Sequence, residues 1–235
     1  MNPEESRIVC EYERRAVSLP KDLYSRFNPG HLFLRQDTER RVITLLRDHG
    51  MTSLSKIRVL DIGCDSGTWL KWFIQLGVEA KRAAGVDLFR EKIVRAKKSC
   101  PNEIHLHHGS GSKLAFKSGA FDLVLQFTML TSVLDMEEKR KIASEMLRVL
   151  KPHGAIIWYD FYINPYNRAV KRIGKAELHE LFPHCEIDLR KVTLAPPLAR
   201  WLAPYAWTLC HILNDISLLR SHYLGWIEKR GQIKR

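Results

Sequence analysis

Residues Lys56–Thr68 read KIRVLDIGCDSGT, and the fold is decided there. Ile57, Val59, Leu60 and Ile62 form a short apolar run, mostly β-branched, as in a strand buried on both faces. Gly63 and Gly67 bracket a tight turn, and a residue without Cβ lets a ligand approach the backbone. Trp69–Leu76 then has helical character, which puts the free amides of a helix N-terminus beside the turn. A second apolar run, Ala83-Ala84-Gly85-Val86, ends in a second acid, Asp87. A carboxylate in that place can grip a ribose diol.

Downstream of this unit, strands and helices alternate. Helices are expected over Arg90–Ser99, Asp135–Leu150 and Lys175–Phe182, with strands over Ile104–His107, Phe121–Phe127, Ala155–Phe161 and Cys185–Leu194. Such alternation predicts an α/β fold with a parallel sheet and right-handed crossovers. Ligands bind such sheets at the carboxyl ends of the strands, where Gln126, Phe127 and Thr128 should lie. Upstream, residues 1–50 read as a helical cap, with Asp37 starting a helix that runs to Gly50. Residues 195–220 read as a helical insert: Pro204 suits a helix start, and Ala206, Leu209, Leu213, Ile216 and Leu219 recur at helical spacing. His211, Asn214 and Asp215 interrupt that run, so it does not span a membrane.

The turn after the first strand is not a dinucleotide fingerprint, since Gly63, Asp65 and Thr68 stand where G-x-G-x-x-G needs three glycines. The phosphate-loop pattern ending in Gly-Lys-Ser/Thr is absent as well. Asp61 just before the turn would repel a pyrophosphate and suits the ammonium of an amino-acid ligand. Asp61-Ile62-Gly63-Cys64-Asp65-Ser66-Gly67 resembles the acid-x-Gly-x-Gly-x-Gly first motif of the class I S-adenosylmethionine (SAM) dependent methyltransferases, in the type 11 group, with Asp65 replacing the middle glycine. Phe121–Phe127 resembles the fourth motif of that family, Leu114-Ala115-Phe116 its Leu-Pro-Phe, and Lys151-Pro152-His153-Gly154 its Lys-Pro-Gly-Gly. The resemblance covers residues 54–160.

It implies a Rossmann-like, doubly wound sheet of seven strands, mostly parallel, with His222–Lys229 as an antiparallel last strand. It also implies SAM as cofactor, held by Asp61, Gly63, Cys64, Gly67, Asp87, Leu88, Ser110, Gly111 and Gln126. Ser110 stands where the family has an acid that reads the adenine amino group. Residues 51–235 would be the methyltransferase domain, with the 195–220 insert roofing the substrate site. The alternative for that insert is that Trp201, Trp207 and the flanking arginines dip into a lipid interface.

Methyl transfer from a sulfonium needs in-line positioning more than acid–base chemistry. A hydroxyl acceptor of high pKa adds the need for a base, for which Asp160 and His31 are the candidates. Tyr24, Thr128, Tyr162, Asn164 and Asn167 are candidates for holding the acceptor, a sugar, glycan precursor or natural product that is anionic or lipid-linked. A net charge of +12 favours anionic partners, so an RNA acceptor and a peripheral membrane contact stay open beside the small molecule. Asp65 and Ser110, which depart from the cofactor pattern, leave room for a non-catalytic SAM-binding scaffold. Five scattered cysteines without a Cys-x-x-Cys and a charged opening segment point to a reduced, cytoplasmic setting. His105, His107 and His108 lack metal-site spacing, so no metal is expected.

Overall fold

The computed structural model describes residues 2–20, 22–164 and 169–230. Helix α1 (Pro3–Ser18) opens with a capping box between Asn2 and Glu5. Helix α2 (Pro29–Asp48) is capped by Asn28, whose side chain accepts from the His31 amide. Asp37 therefore starts no helix: it is buried in mid-α2, paired with Arg40 and Arg41. Asn28-Pro29 supplies both a cap and a φ preset for the first turn, and the inward-facing positions begin at Phe33.

Next come β1 (Val59–Ile62), α3 (Thr68–Gln75), β2 (Ala83–Asp87), α4 (Arg90–Ser99) and β3 (His105–His108). The second half runs through β4 (Phe121–Phe127), α5 (Met136–Val149), β5 (Leu150–Phe161), α6 (Lys175–Leu181) and β6 (Cys185–Leu194). The insert forms α7 (Pro196–Leu202) and α8 (Trp207–Asp215), and β7 (Arg220–Lys229) ends the sheet. The strand order is β3-β2-β1-β4-β5-β7-β6. Strands β1 to β5 are parallel, and β7 pairs antiparallel with both β5 and β6. Strand β6 thus runs the same way as β5, and its end at Leu194 reaches the edge where Ile62, Asp87, Phe127 and Phe161 also end.

Both faces of the sheet are covered, which explains the continuous apolar strands. Leu60, Val124, Ile156 and Trp158 pack on α5 and α6, while Val59, Leu123, Leu125 and Ile157 pack on α2, α3 and α4. Lys151–Gly154 is extended as the start of β5, with a register irregularity opposite Phe121 and Leu123. A Cβ on Gly154 would sit 2.7 Å from the Asp122 carbonyl oxygen, so the close strand approach needs glycine there.

The insert lies across the N-terminal half of α2. The Phe33 ring meets Trp207 at 5.4 Å and His211 at 5.0 Å, and a Cβ on Gly30 would collide with the Arg200 backbone at 2.5 Å. The apolar spacing of 206–219 does not all face inward. Ala206, Leu213 and Leu219 pack with Cys210 against Phe33, whereas Leu209 and Ile216 are exposed. The insert breaks into two short helices and a turn, so one helical phase does not extend across it.

Candidate active site

The turn after β1 has the backbone its sequence calls for. Gly63, Asp65 and Gly67 all have positive φ, at 76°, 48° and 75°. Asp65 takes the left-handed conformation that Asn and Asp tolerate best among non-glycine residues. Its side chain points outward to Lys92, 3.6 Å away. The turn is tied to β2 by the Gly63 and Cys64 amides, which donate to the Val86 carbonyl at 2.8 and 3.1 Å. Gly67 has a second reason to be glycine: a Cβ there would lie 2.4 Å from the Cys100 sulfur on the far side of the turn. Gly67 is therefore fixed by packing between turn and α4. Gly63 faces the strand-end crevice, where an added Cβ would meet Met129 at 2.8 Å.

Strand alternation sends Asp61 and Asp87 to the sheet face covered by α2, α3 and α4. Asp61 is fully buried, and desolvation, with the Asp87 charge adding to it, pushes its carboxyl up to about 8. Asp87 accepts from the Asp65 amide at 2.8 Å and the Phe89 amide at 2.9 Å, one on each oxygen. Burial raises its pKa, against the pull of Lys92 and these two amides.

Arg35 of α2 reaches this face. Its guanidinium lies 3.6 Å over the Trp69 ring, and Trp69 stacks at 3.9 Å on Phe127 at the end of β4. Desolvation lowers the Arg35 pKa, opposed by Glu39 and, more weakly, by Asp61. Among the described residues, Asp61 Oδ2 and Arg35 Nη2 are buried without a hydrogen-bond partner. Arg35 is held through Nε by Glu39 at 2.6 Å, which leaves Nη2 free beside the aromatic wall; with Asp61 Oδ2 it forms a slot that suits the carboxylate and ammonium of an amino-acid ligand.

Helix α1 crosses over the crevice. The Arg7 guanidinium donates to the Ser132 carbonyl at 2.6 Å, the Tyr12 hydroxyl meets Ser132 Oγ at 3.2 Å, and Glu4 accepts from the Leu134 amide. At the other side Tyr12 packs on Phe89 at 5.0 Å, with Lys92 4.4 Å over the Tyr12 ring. Neither Tyr12 nor Arg35 is marked out by the sequence. Ile8, Val9 and Tyr12 share a helical spacing that could have marked α1 as a packed helix, but its docking point depends on residues 120 positions away.

The remaining sequence candidates divide between the two sheet faces. Gln126 and Asp160 point to the α5 and α6 face, opposite Asp61. Asp160 is fully buried and accepts from Thr131 Oγ1 at 2.6 Å, the Thr131 amide at 3.1 Å, the Phe161 amide at 3.0 Å and Gln126 Nε2 at 3.1 Å. His31 is half-buried one helical turn before Arg35, with its ring 5.8 Å from the exposed Tyr24. Desolvation, then Arg35, Arg200 and Arg26, lower its pKa. Thr128 takes a left-handed φ of 55°, strained for a β-branched residue, while its amide donates to the Tyr159 carbonyl at 2.8 Å. Cys64 is buried beneath β2, its sulfur where a Cβ on Gly85 would press, so its backbone alone faces the turn. Leu88 gives its carbonyl to the His108 ring at 3.1 Å, and Gly111 lies against Ile62. Ser110 is engaged with Ser112 at 2.9 Å. The Tyr162 hydroxyl donates to the Arg220 carbonyl at 2.6 Å, and Asn164 follows just beyond β5. Asn167 lies outside the described residues. Among the described residues no group of three His, Cys, Asp or Glu side chains is placed to hold a metal ion.

Residues 59–154 match a family model described as a methyltransferase domain. Over these residues the chain is similar to that family. Solved structures share the fold of this domain. A 1,6-didemethyltoxoflavin-N1-methyltransferase from Burkholderia thailandensis, solved with bound 1,6-didemethyltoxoflavin and S-adenosylhomocysteine, is 18% identical with a TM-score of 0.58, over 92% of this chain and 90% of that one. The PH0226 protein of Pyrococcus horikoshii is 19% identical with a TM-score of 0.57, over 81% of this chain and 91% of that one. A [4+2]-cyclase, SpnF, gives a TM-score of 0.57 at 16% identity, over 83% and 82%, so the fold alone does not fix the reaction. A curated Haemophilus influenzae protein described as uncharacterized is 28% identical over 155 residues, 63% of this chain. The match spans 59% of that relative's length. SAM is the cofactor of such methyltransferases, and the crevice has the donor set to hold it: Asp61 Oδ2 and Arg35 Nη2 lack partners, and Asp87 ends β2 with its oxygens on two amides.

Proposed function

We propose that this protein transfers the methyl group of SAM to a hydroxyl of a small, amphipathic acceptor such as a sugar, glycan precursor or natural product. The observation that carries the reading is a pair of buried polar atoms without partners, Asp61 Oδ2 in β1 and Arg35 Nη2 on α2. When bound, SAM supplies a methyl carbon made electrophilic by its sulfonium. Asp61 takes the ligand's ammonium and Arg35 its carboxylate, while Asp87, held by two amides, offers its remaining lone pairs to two ribose hydroxyls. Trp69 and Phe127 keep water from the reacting end.

His31 is the better-placed proton acceptor. Its lowered pKa keeps it neutral at pH 7, and it stands next to Arg35 on the same helix face. Asp160 has all its acceptor directions used by Thr131, Gln126 and Phe161, and acts as a positioning residue. His31→Ala should lower kcat by roughly 10²–10⁴-fold, the usual worth of a general base, and leave the SAM Kd unchanged. A kcat within twofold of the parent removes His31 from the chemistry. The parent rate should fall with acidity only below the ordinary histidine pKa of 6.5, since the neutral form is the active one.

Asp61 makes SAM binding pH-dependent. A cationic ammonium favours the ionised carboxylate, so binding below pH 8 releases a proton and affinity should rise with pH up to about 8. Calorimetry in buffers of different ionisation enthalpy reads that proton directly. Asp61→Asn should abolish the proton release, and release that persists in this variant would place the coupling elsewhere. The acceptor itself is found by incubating the protein and labelled SAM with polar, lipid and RNA fractions of a cell extract. Label in the polar or lipid fraction supports the reading. Label in RNA would turn the +12 charge into the deciding feature, and no transfer with intact SAM binding would leave a scaffold.

A further inference from the structure

Twelve large hydrophobic side chains are exposed among the described residues, and eight belong to two stretches, the turn that leads into α2 and the α7–α8 insert that packs on the first turns of α2. Phe27 is 98% exposed, Trp201 70%, Tyr205 86%, Ile212 58% and Leu218 86%. Leu209 and Ile212 are exposed on α8, with Tyr205 just before the helix and Ile216 at its C-cap. The opposite side of α8, with Cys210 and Asn214, is buried against the body of the protein. The helix therefore has an inner apolar contact and an outer one that this chain does not cover.

The make-up of the outer face names its occupant. Trp, Tyr and Phe beside Ile and Leu is the composition of segments seated at a bilayer interface, where amphipathic rings reach both headgroup and acyl chain. Arg26, Arg41, Arg200 and Arg220 lie on the same elements or beside them. Asp215, an acid at the end of α8, sits between Arg41 at 3.8 Å and Arg220 at 3.7 Å. With a net charge of +12 on the whole chain, such a face is matched to an anionic surface. No helix of the described residues is long and apolar enough to cross a membrane, so contact by this face is interfacial.

We infer that the α7–α8 insert and the turn before α2 form a docking face for an anionic lipid bilayer. Because β6 ends at the same sheet edge as β1, β2, β4 and β5, this face lies on the crevice side of the molecule. Docking would bring the mouth of the crevice to the membrane and favour an acceptor drawn from it. That last consequence rests on the methyl-transfer reading, whereas the docking itself does not, so the two can fail separately.

The full chain is sedimented with vesicles of phosphatidylcholine containing about 30% phosphatidylglycerol, and with vesicles of phosphatidylcholine alone. Binding is expected to the anionic vesicles and to weaken in high salt. The double variant Trp201→Ser, Ile212→Ser should bind them at least about tenfold less, with an unchanged thermal melt because both side chains are already in solvent. Tryptophan emission of the parent should be quenched by brominated lipids, a readout independent of any variant. Protein that stays in the supernatant with anionic vesicles overturns the inference, as does a double variant that binds like the parent. A dimer by light scattering that the double variant converts to monomer, without vesicle binding, would assign the face to a second copy.

Discussion

Asp87→Ala is expected to weaken SAM by at least a hundredfold in calorimetry. Two hydroxyl contacts to a carboxylate are worth roughly 1.5–3 kcal/mol each, and the smaller figure taken twice is about 3 kcal/mol, or about 150-fold. The structure adds a second loss. Both carboxylate oxygens already accept amides, from Asp65 in the turn and Phe89 at the head of α4, so alanine also frees the turn from β2. The variant should therefore show a lower thermal midpoint as well as weaker binding. Asp87→Asn separates the effects, because its carbonyl keeps one amide while its NH₂ faces the other. Unchanged SAM affinity in the Asp87→Ala protein would mean that the ribose is held elsewhere.

The strand-turn-helix around Lys56–Thr68 was legible because its signals are local: a β-branched run, two glycines at left-handed positions and the start of a helix. The β2 and α4 spans and the β6 span were legible for the same reason, since Asp87 and Pro101 punctuate apolar and charged runs. The start of α2 was missed although its signal was present. Asn28-Pro29 is a strong cap, but the turn-like composition of 24–31 hid it, and Asp37, a good cap residue, offered a false start. The 206–219 spacing was read as one helical run, but a period does not say which positions are buried: Ala206, Leu213 and Leu219 pack inward while Leu209 and Ile216 face solvent.

The site was legible in its acids and glycines and illegible in what arrives from a distance. Asp61 and Asp87 come to one crevice through the βαβ crossover, a rule of topology. Arg35 is one of 38 cationic side chains, and nothing in its neighbours says that it will lie on Trp69. Helix α1 docks through Glu4, Arg7 and Tyr12 onto residues 132–134, contacts set by chain return rather than by pattern. The sequence offered Asp160 as a candidate base near the end of a strand at this edge, and alternation turns it to the opposite face from Asp61.

Asp160→Ala should cost roughly 3–5 kcal/mol of stability, the largest effect on folding expected of any single change at this edge. Alanine leaves the Thr131 amide and hydroxyl, the Gln126 amide group and the Phe161 amide without their acceptor in a site closed to water. Those donors span β4, the turn at Leu130–Ser132 and the end of β5, so their loss loosens the floor under Thr128, Met129 and, through Ser132, the foot of α1. The pH dependence gives a finer test. Burial raises the Asp160 carboxyl from 3.8 to about 6, against the pull of the four hydrogen bonds. Between these values the folded protein holds a proton that the unfolded chain has released. Stability from this group is therefore greatest below pH 4 and falls as pH rises to 6, by roughly 3 kcal/mol in all. Asp160→Asn, which cannot ionise, should flatten that part of the curve in denaturant titrations at pH 4 to 6. A positioning role also predicts that the Asp160→Asn protein, once folded, turns over within a few-fold of the parent with an unshifted pH–rate profile. A base would instead lose the acid limb of that profile together with most of kcat, and such a loss would return Asp160 to the chemistry and displace His31.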